Sequence, residues 1–395
     1  MYSNEIILFK SGGRSHYRIP SIVATNDGTI FAFCNDRKDS VIDHAKEVAL
    51  VYARKKNNQP WEPEQTLSGI PDWACGIGSA IYDPDTDVVF VSGSRNPVAR
   101  NEFGTFTDEE IAAMEAEAEE KARALGISRG EILFESADGG DSWQDAPIQI
   151  KTRKFTTTDG RTLEIGGSCH GSAHGIQLKH GPHKGRLLWP SRIFTNRYTN
   201  WAEAILACYN NSLYSDDHGK TWHASAPVQQ GTGEGTLIED ENGVIHYNSR
   251  GMHCDQKRYL ATSYDCGETY QDFRTDDFLI EEKEIGCNAA FFRVEKEDLP
   301  GLPQGVSSIT LFSNPRDEIR EKMSICYSFD NGKTWAGVKQ VWEKGAAYSS
   351  LAYDKKSGHF FLLYERGPNG QAFHPYDDGI SIAEFDLEWL LGQQN

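Results

Sequence analysis

The chain is short of positive charge: 40 Lys and Arg against 58 Asp and Glu leave a formal net charge of −18. That balance excludes nucleic acid and an anionic membrane surface as the main partner, because both are bound through clustered cations. An anionic substrate would need a local group of arginines to overcome the unfavourable overall field. Long apolar runs are missing as well, and none approaches the roughly 20 residues that span a bilayer. Met1 to Lys10 has no basic stretch leading into an apolar one, so no signal peptide is visible and the cytoplasm is the expectation. A leader removed beforehand would instead place the protein in the periplasm or outside the cell. The 8 cysteines (Cys34, Cys75, Cys169, Cys208, Cys254, Cys266, Cys287 and Cys326) form no Cys-x-x-Cys, which predicts reduced, half-buried thiols rather than a metal or redox motif. No phosphate-binding glycine loop or dinucleotide motif is found, so no cofactor is expected.

What is abundant is aromatic: 11% of residues, with 9 Trp and 16 Tyr, among recurrent turn signals such as Asn26-Asp27-Gly28 and Glu241-Asn242-Gly243. Aromatic and β-branched residues suit pleated surfaces, so strands are expected throughout. A motif then repeats four times as Ser-x-Asp-x-Gly-x-Thr/Ser-aromatic, at Ser136–Trp143, Ser215–Trp222, Ser263–Tyr270 and Ser328–Trp335. Each copy closes one strand-like run and opens another. The Asp can accept bonds from the turn's own amides, Gly supplies a positive φ, and the ring can fold back on the sheet.

The turns divide the chain into six units. Their strands are Ser21–Thr25, Ile30–Asn35 and Val48–Arg54, with a degenerate turn ending at Trp61; Gly78–Tyr82, Val88–Ser92 and Glu131–Glu135; and Gly175–Leu178, Arg186–Trp189 and Ile205–Tyr214. The later units hold Gly235–Glu239, Val244–Asn248 and Tyr259–Ser263; Ala289–Val294, Ser308–Phe312 and Met323–Ser328; and Ser350–Tyr353, His359–Tyr364 and Gly379–Phe385. Glu5–Phe9 can supply the missing outer strand of the last. The prediction is an all-β fold, a six-bladed β-propeller occupying 1–395 as a single domain, closed by a strand from the other terminus. One insertion interrupts it, at about 104–128 in the second blade. Thr107-Asp-Glu-Glu110 reads as a capping box, a helix should follow to about Leu125, and Gly126 should stop it.

In such a blade the start of strand one, the end of strand two and the loop from two to three share one face, opposite the repeated turns. Arg18, Arg37, Asp43, Glu234, Arg250, Arg320, Tyr348 and Glu365 fall on that face by topology. Taken singly, an arginine there is an ordinary surface residue in a weak ion pair. Jointly, they mark a candidate site.

These residues stand within further motifs: Arg-Ile-Pro at 18–20, Ala-Phe-x-x-x-Arg ending at Arg37, Ser-Asn-Pro at 313–315 ahead of Arg320, Ala-Tyr-Ser at 347–349 and Tyr-Glu-Arg-Gly at 364–367. In this order, with the four turns read as Asp boxes, the chain resembles the sialidase (neuraminidase) family over nearly its whole length, the helical insertion apart. The resemblance implies that Arg18, Arg250 and Arg320 grip a substrate carboxylate, for which a planar, permanently charged fork is well suited. Arg316 competes with Arg320 for the third place, and the distance of Arg320 from the next Asp box favours it. Glu365 would orient Arg18, Arg37 would contact a ring hydroxyl, and Asp43 would be the acid/base. Tyr348 would be the nucleophile with Glu234 accepting its proton, sialidases being an exception to the two-carboxylate scheme. A neutral phenol suits an anomeric carbon that already carries a carboxylate.

The implied activity is a retaining exo-glycoside hydrolase acting on sialylated glycans, or on glycosides of related 2-keto acids such as Kdn and Kdo. A trans-sialidase and a non-catalytic sialic-acid-binding propeller are the alternatives; the latter should have lost Asp43, Glu234 or Tyr348, and all three are present. Trp73, Cys75 and the 170–174 segment are candidates to line the pocket for the rest of the sugar. His170 and His174 invite a metal reading, but their stretch is glycine-rich rather than helical, and no metal is expected. The insertion, emerging on the rim of Asp43, is expected to narrow the entrance or to make a subunit contact.

Overall fold

The structure, a computed structural model, describes residues 5–41, 45, 47–57, 59–76, 78–96, 107–169, 173–196, 201–253, 255–368 and 377–392. Six sheets, antiparallel but for the short outer strand Ile150–Lys151 that joins the third in parallel, follow one another as the blades of a β-propeller, with inner strands Ser15–Ala24, Ala80–Asp83, Ile176–Gln177, Thr232–Glu239, Ala290–Glu295 and Ala346–Asp354. The N-terminal strand Glu5–Lys10 pairs antiparallel with Gly379–Phe385 as the outer strand of the sixth blade, so the two ends of the chain close the ring together. No described helix is long and apolar enough to cross a membrane.

Alternation along the strands explains why they read as apolar on both faces: successive side chains point to opposite neighbours. Phe31 faces the second blade and Ile30 the sixth; Leu237 faces the third and Ile238 the fifth. Each of the six junctions between blades therefore has its own buried apolar cluster, including the sixth-to-first junction built from Phe9, Phe361, Ile380, Ile22 and Val51. Seven cysteines lie among the described residues, all free and buried, and Cys254 lies outside them.

The Asp boxes share one hydrogen-bond scheme. The Ser hydroxyl accepts the Gly N–H at 2.9–3.0 Å and donates to the Asp carboxylate, which takes the N–H of the following Ser or Thr at 2.8–2.9 Å. The box glycines have φ of 77–89°, the left-handed region that glycine enters without a Cβ penalty. Each box aromatic packs back on the sheets: Trp143 meets Phe31 and Phe33 of the preceding blade edge-on, and Tyr270 donates to or accepts from Ser212.

The insertion is helix α1, Asp108–Leu125, with the capping box from Thr107 and Glu110 and Gly126 as a left-handed C-cap. Its buried Ala122 packs with Trp73 and Cys75, and Lys121 sits above the Trp73 ring. Three features differ from the sequence reading. Residues Trp201–Ala207 form a helical turn where the strand was expected to begin at Ile205, and pairing starts at Cys208. A hairpin, Arg153–Thr156 with Thr162–Ile165, stands between the second and third blades. The second strands also run further, to Lys38, Arg95, Phe194, Gly251, Pro315 and Arg366, which carries them onto the rim.

If the boxes are structural, Asp330→Ala removes three hydrogen bonds from an outlying turn. It should lower unfolding stability by about 1–2 kcal/mol, read as a lower urea midpoint, without altering substrate turnover.

Candidate active site

Three inner strands begin with a break in register, and each break carries a site residue. Pairing shifts between Arg18 and Ser21 in the first blade, between Thr232 and Gly235 around Glu234 in the fourth, and between Ala346 and Ser349 around Tyr348 in the sixth. The inner pairs of the other three blades run without a shift. A bulge re-aims side chains that a regular ladder would send into the sheet junctions. In the first blade the deviation is marked: Ile19 has φ 61°, an outlying conformation for a β-branched residue that costs about 1–3 kcal/mol.

Glu365, fully buried at the end of the second strand of the sixth blade, holds this bend in place. Its Oε1 accepts Arg18 Nε at 2.6 Å and the Ile19 N–H at 2.8 Å, and its Oε2 accepts the Tyr348 N–H at 3.1 Å. One carboxylate thus fixes both bulged strands.

Above it, three guanidinium groups surround one ring. The Cζ atoms of Arg18, Arg250 and Arg320 lie 5.5, 5.9 and 5.7 Å from the Tyr348 centroid. The Tyr348 hydroxyl meets both oxygens of Glu234, at 2.7 and 2.8 Å, and accepts from Arg250 Nη1 at 2.8 Å. Arg250 also pairs with Glu234 directly. Arg316 lies elsewhere, over Phe278 with its Nη1 on the Phe278 carbonyl. Arg37 is buried and donates to the Val41 carbonyl at 2.7 Å, on the segment leading to Asp43. Asp43 itself lies outside the described residues.

The loop 281–287 aims two of the arginines with carbonyls rather than carboxylates. Arg250 Nε donates to Ile285 O at 2.7 Å and Arg320 Nη2 to Gly286 O at 3.1 Å. Gly286 has φ 64°, and a Cβ there would stand 2.7 Å from Glu281 Oε2, so the loop favours glycine at this point. Beneath it, buried Glu281 accepts Arg258, Asn314 and the Cys287 N–H, and Arg258 also reaches Cys287 O and Asn248. None of Arg258, Glu281 or Gly286 stood out in the sequence. Glu281-Glu282-Lys283-Glu284 reads as an exposed charged run, and only the tertiary fold buries its first two residues.

Burial works to raise the Glu234 carboxyl, but the Arg250 and Arg192 guanidiniums and the Tyr348 hydroxyl outweigh it and hold it below the usual value. Arg192 is a further residue missed by the sequence reading. His174 is buried against Phe292 and lowered to about 4 by that burial, while His170 lies outside the described residues. Trp73 and Cys75, weighed as pocket-lining residues, are each 1% exposed beneath α1. They instead clamp the strand that follows the Asp43 segment, since Val48 N–H donates to Trp73 O and Cys75 N–H to Val48 O.

A family model described as "BNR repeat-like domain" matches residues 45–362. A sialidase of Micromonospora viridifaciens is 28% identical over 390 residues, 96% of this chain and 53% of its own length. A sialidase of Bacteroides fragilis is 25% identical over 337 residues, 82% and 55% respectively. The chain thus spans about half the length of these two relatives. Among solved structures, the intramolecular trans-sialidase of Ruminococcus gnavus superimposes with a TM-score of 0.69 at 14% identity, covering 98% of each chain. The Hadza microbial sialidase Hz136 does so at 0.69 and 22%, covering 94% of this chain and 66% of that one. These two share the fold.

The lowered Glu234 carboxyl has a stability consequence. It contributes stability above its unfolded value, and that contribution is lost as pH falls through the lower folded value. Glu234→Gln should cost about 3 kcal/mol near neutral pH by leaving Arg250 short of its counter-charge. Denaturation of both proteins from pH 7 to pH 3 should show that gap closing as wild type loses its advantage; a constant gap contradicts the coupling.

Proposed function

The chain belongs to the BNR repeat-like domain family and is similar to sialidases along nearly its whole length, and we propose that it is a retaining exo-glycoside hydrolase releasing a terminal α-linked 2-keto acid sugar. Sialic acid is the first candidate, with Kdn and Kdo as close relatives. The observation that carries the reading is the ring of Arg18, Arg250 and Arg320 around a tyrosine whose hydroxyl rests on a carboxylate. In a chain of net charge −18, three converging arginines call for an anion, and a carboxylate matches their forks.

The reaction runs as two successive displacements. The substrate carboxylate lies across the three guanidiniums and presents the anomeric carbon to Tyr348 Oη. Tyr348 attacks as its proton passes to Glu234, and Asp43 protonates the departing glycosidic oxygen. Asp43 then deprotonates a water that displaces Tyr348, whose departing oxygen takes its proton back from Glu234, so two inversions give net retention. Arginine fields hold Glu234 ionised and therefore able to accept the proton. A bound carboxylate offsets part of that field and raises the basicity of Glu234 when transfer is due. Arg37 would contact a ring hydroxyl, and Glu365 would orient Arg18.

A panel of fluorogenic 2-keto acid glycosides, run on wild type beside Tyr348→Phe and Asp43→Ala, tests the proposal. Wild type should release fluorophore from at least one member, and Tyr348→Phe should lose on the order of 10³-fold or more in kcat while remaining folded. Product analysis separates hydrolysis from transfer. Binding without turnover, unchanged in the Asp43 variant, would favour a lectin-like propeller.

A further inference from the structure

The rim arginines are almost all committed. Arg18 is held by Glu365, Arg37 by the Val41 carbonyl, Arg250 by Glu234 and Ile285, and Arg320 by Gly286. In the second blade, Arg95, near the corresponding end of the second strand, is spent outward on Asp145 and Ser68. Arg192 differs. It lies in the second strand of the third blade, Leu187–Phe194, and is partly buried. Its side chain forms no hydrogen bond or ion pair with any described residue, and its buried Nε has no acceptor. Its one side-chain contact of note is the Phe194 ring, 4.9 Å from Cζ, and that ring is itself 36% exposed.

Arg192 nevertheless belongs to the site. It pairs in register with Asn210, whose side-chain amide bridges Ser191 O and Gly233 O, the neighbours of Arg192 and Glu234. Its field reaches the Glu234 carboxylate. An uncommitted, partly desolvated cation beside a reacting carboxylate is costly for the free protein. A ligand supplying acceptors would relieve that cost.

Resting on the function proposed above, we infer that Arg192 and Phe194 recognise the hydroxylated side chain of the sugar, at the end remote from its carboxylate. The carboxylate is drawn toward Arg18, Arg250 and Arg320, which come from the first, fourth and fifth blades, with Tyr348 from the sixth. The far end of the sugar must then extend toward the second and third blades, where Arg192 brings a guanidinium whose Nε has no acceptor among the described residues. Two N–H groups of one guanidinium edge match a vicinal diol, and the exposed face of Phe194 suits the C–H groups between the hydroxyls. Arg192 is on this view a specificity residue, not a member of the proton-transfer pair.

The test compares two aryl glycosides of the same nine-carbon acid, one intact and one whose side chain has been shortened by periodate cleavage and reduction. Wild type, Arg192→Met and Arg192→Lys are assayed on both, with thermal melting as the check on folding. Arg192→Met should lose about tenfold or more in kcat/KM on the intact substrate, mostly in KM, and much less on the shortened one. The preference of wild type for the intact side chain should therefore collapse, and Arg192→Lys should recover part of it. The acid limb of the pH profile should stay where it is in wild type. Equal losses on both substrates, with the acid limb displaced, would mean that Arg192 acts only through Glu234 and would overturn the inference. Full activity of Arg192→Met on the intact substrate would do the same. Failure of wild type to act on either glycoside would instead remove the proposed function, and this inference with it.

Discussion

Glu365 is the point on which the site depends. It is fully buried, it spends its two oxygens on three donors from the first and sixth blades, and one of them, Arg18, is 347 residues away in sequence. A carboxylate so placed is stable only when each bond is made, because an uncompensated buried charge is costly. The ring must therefore be closed before the site exists. Closure comes from Glu5–Lys10 lying against Gly379–Phe385 and from the apolar junction between the sixth and first blades. With that junction open, Arg18 and Tyr348 would have no common support, and the left-handed turn at Ile19 would have nothing to hold it.

The same economy of charge governs the arginines. Beneath the site, Arg258 and Glu281 neutralise each other in a buried network shared with Asn248, Asn314 and Cys287. At the site itself, Arg320 donates to the backbone carbonyl of Gly286, and Arg250 divides its donors between Ile285 O, Glu234 and Tyr348. Carbonyls fix a guanidinium's direction without cancelling its charge. The lower layer is rigid and neutral, and the upper layer keeps positive potential for an anion. This is how a strongly acidic chain can present a cationic cavity.

Much of this was legible in the sequence because it was local or periodic. The Asp boxes and the strand runs between them divided the chain into six blades, and blade topology alone put Arg18, Glu234, Arg250, Arg320, Tyr348 and Glu365 together, while Asp43 lies outside the described residues. Helix α1 announced itself through Thr107, Glu110 and Gly126, all acting within their own turns. What was not legible was set at long range. The carbonyls of Ile285 and Gly286 carry no side-chain signature, and Glu281 looks like a surface acid until Arg258 is seen against it. Arg192 was passed over because its strand was expected to stop at Trp189, whereas pairing with Cys208–Ser215 continues to Phe194. Ile205 was expected to open a strand, yet it lies in the turn of helix Trp201–Ala207, which buries Ala204 and Ala207.

The bulges point to a general reason why site residues resist prediction from pattern. A regular inner strand directs each side chain toward one neighbouring blade or the other, and neither direction leads to the central mouth. Arg18, Glu234 and Tyr348 reach the mouth because pairing fails locally beside each of them. The three unshifted inner pairs belong to the second, third and fifth blades. Those blades reach the rim through the ends of second strands and the loops after them, as Arg192 and Arg320 do. Departure from the ladder is thus confined to the blades whose first strands must supply a reacting or gripping group. Its local cost is met by the buried carboxylate and the closed ring around it, as expected where local rules yield to function.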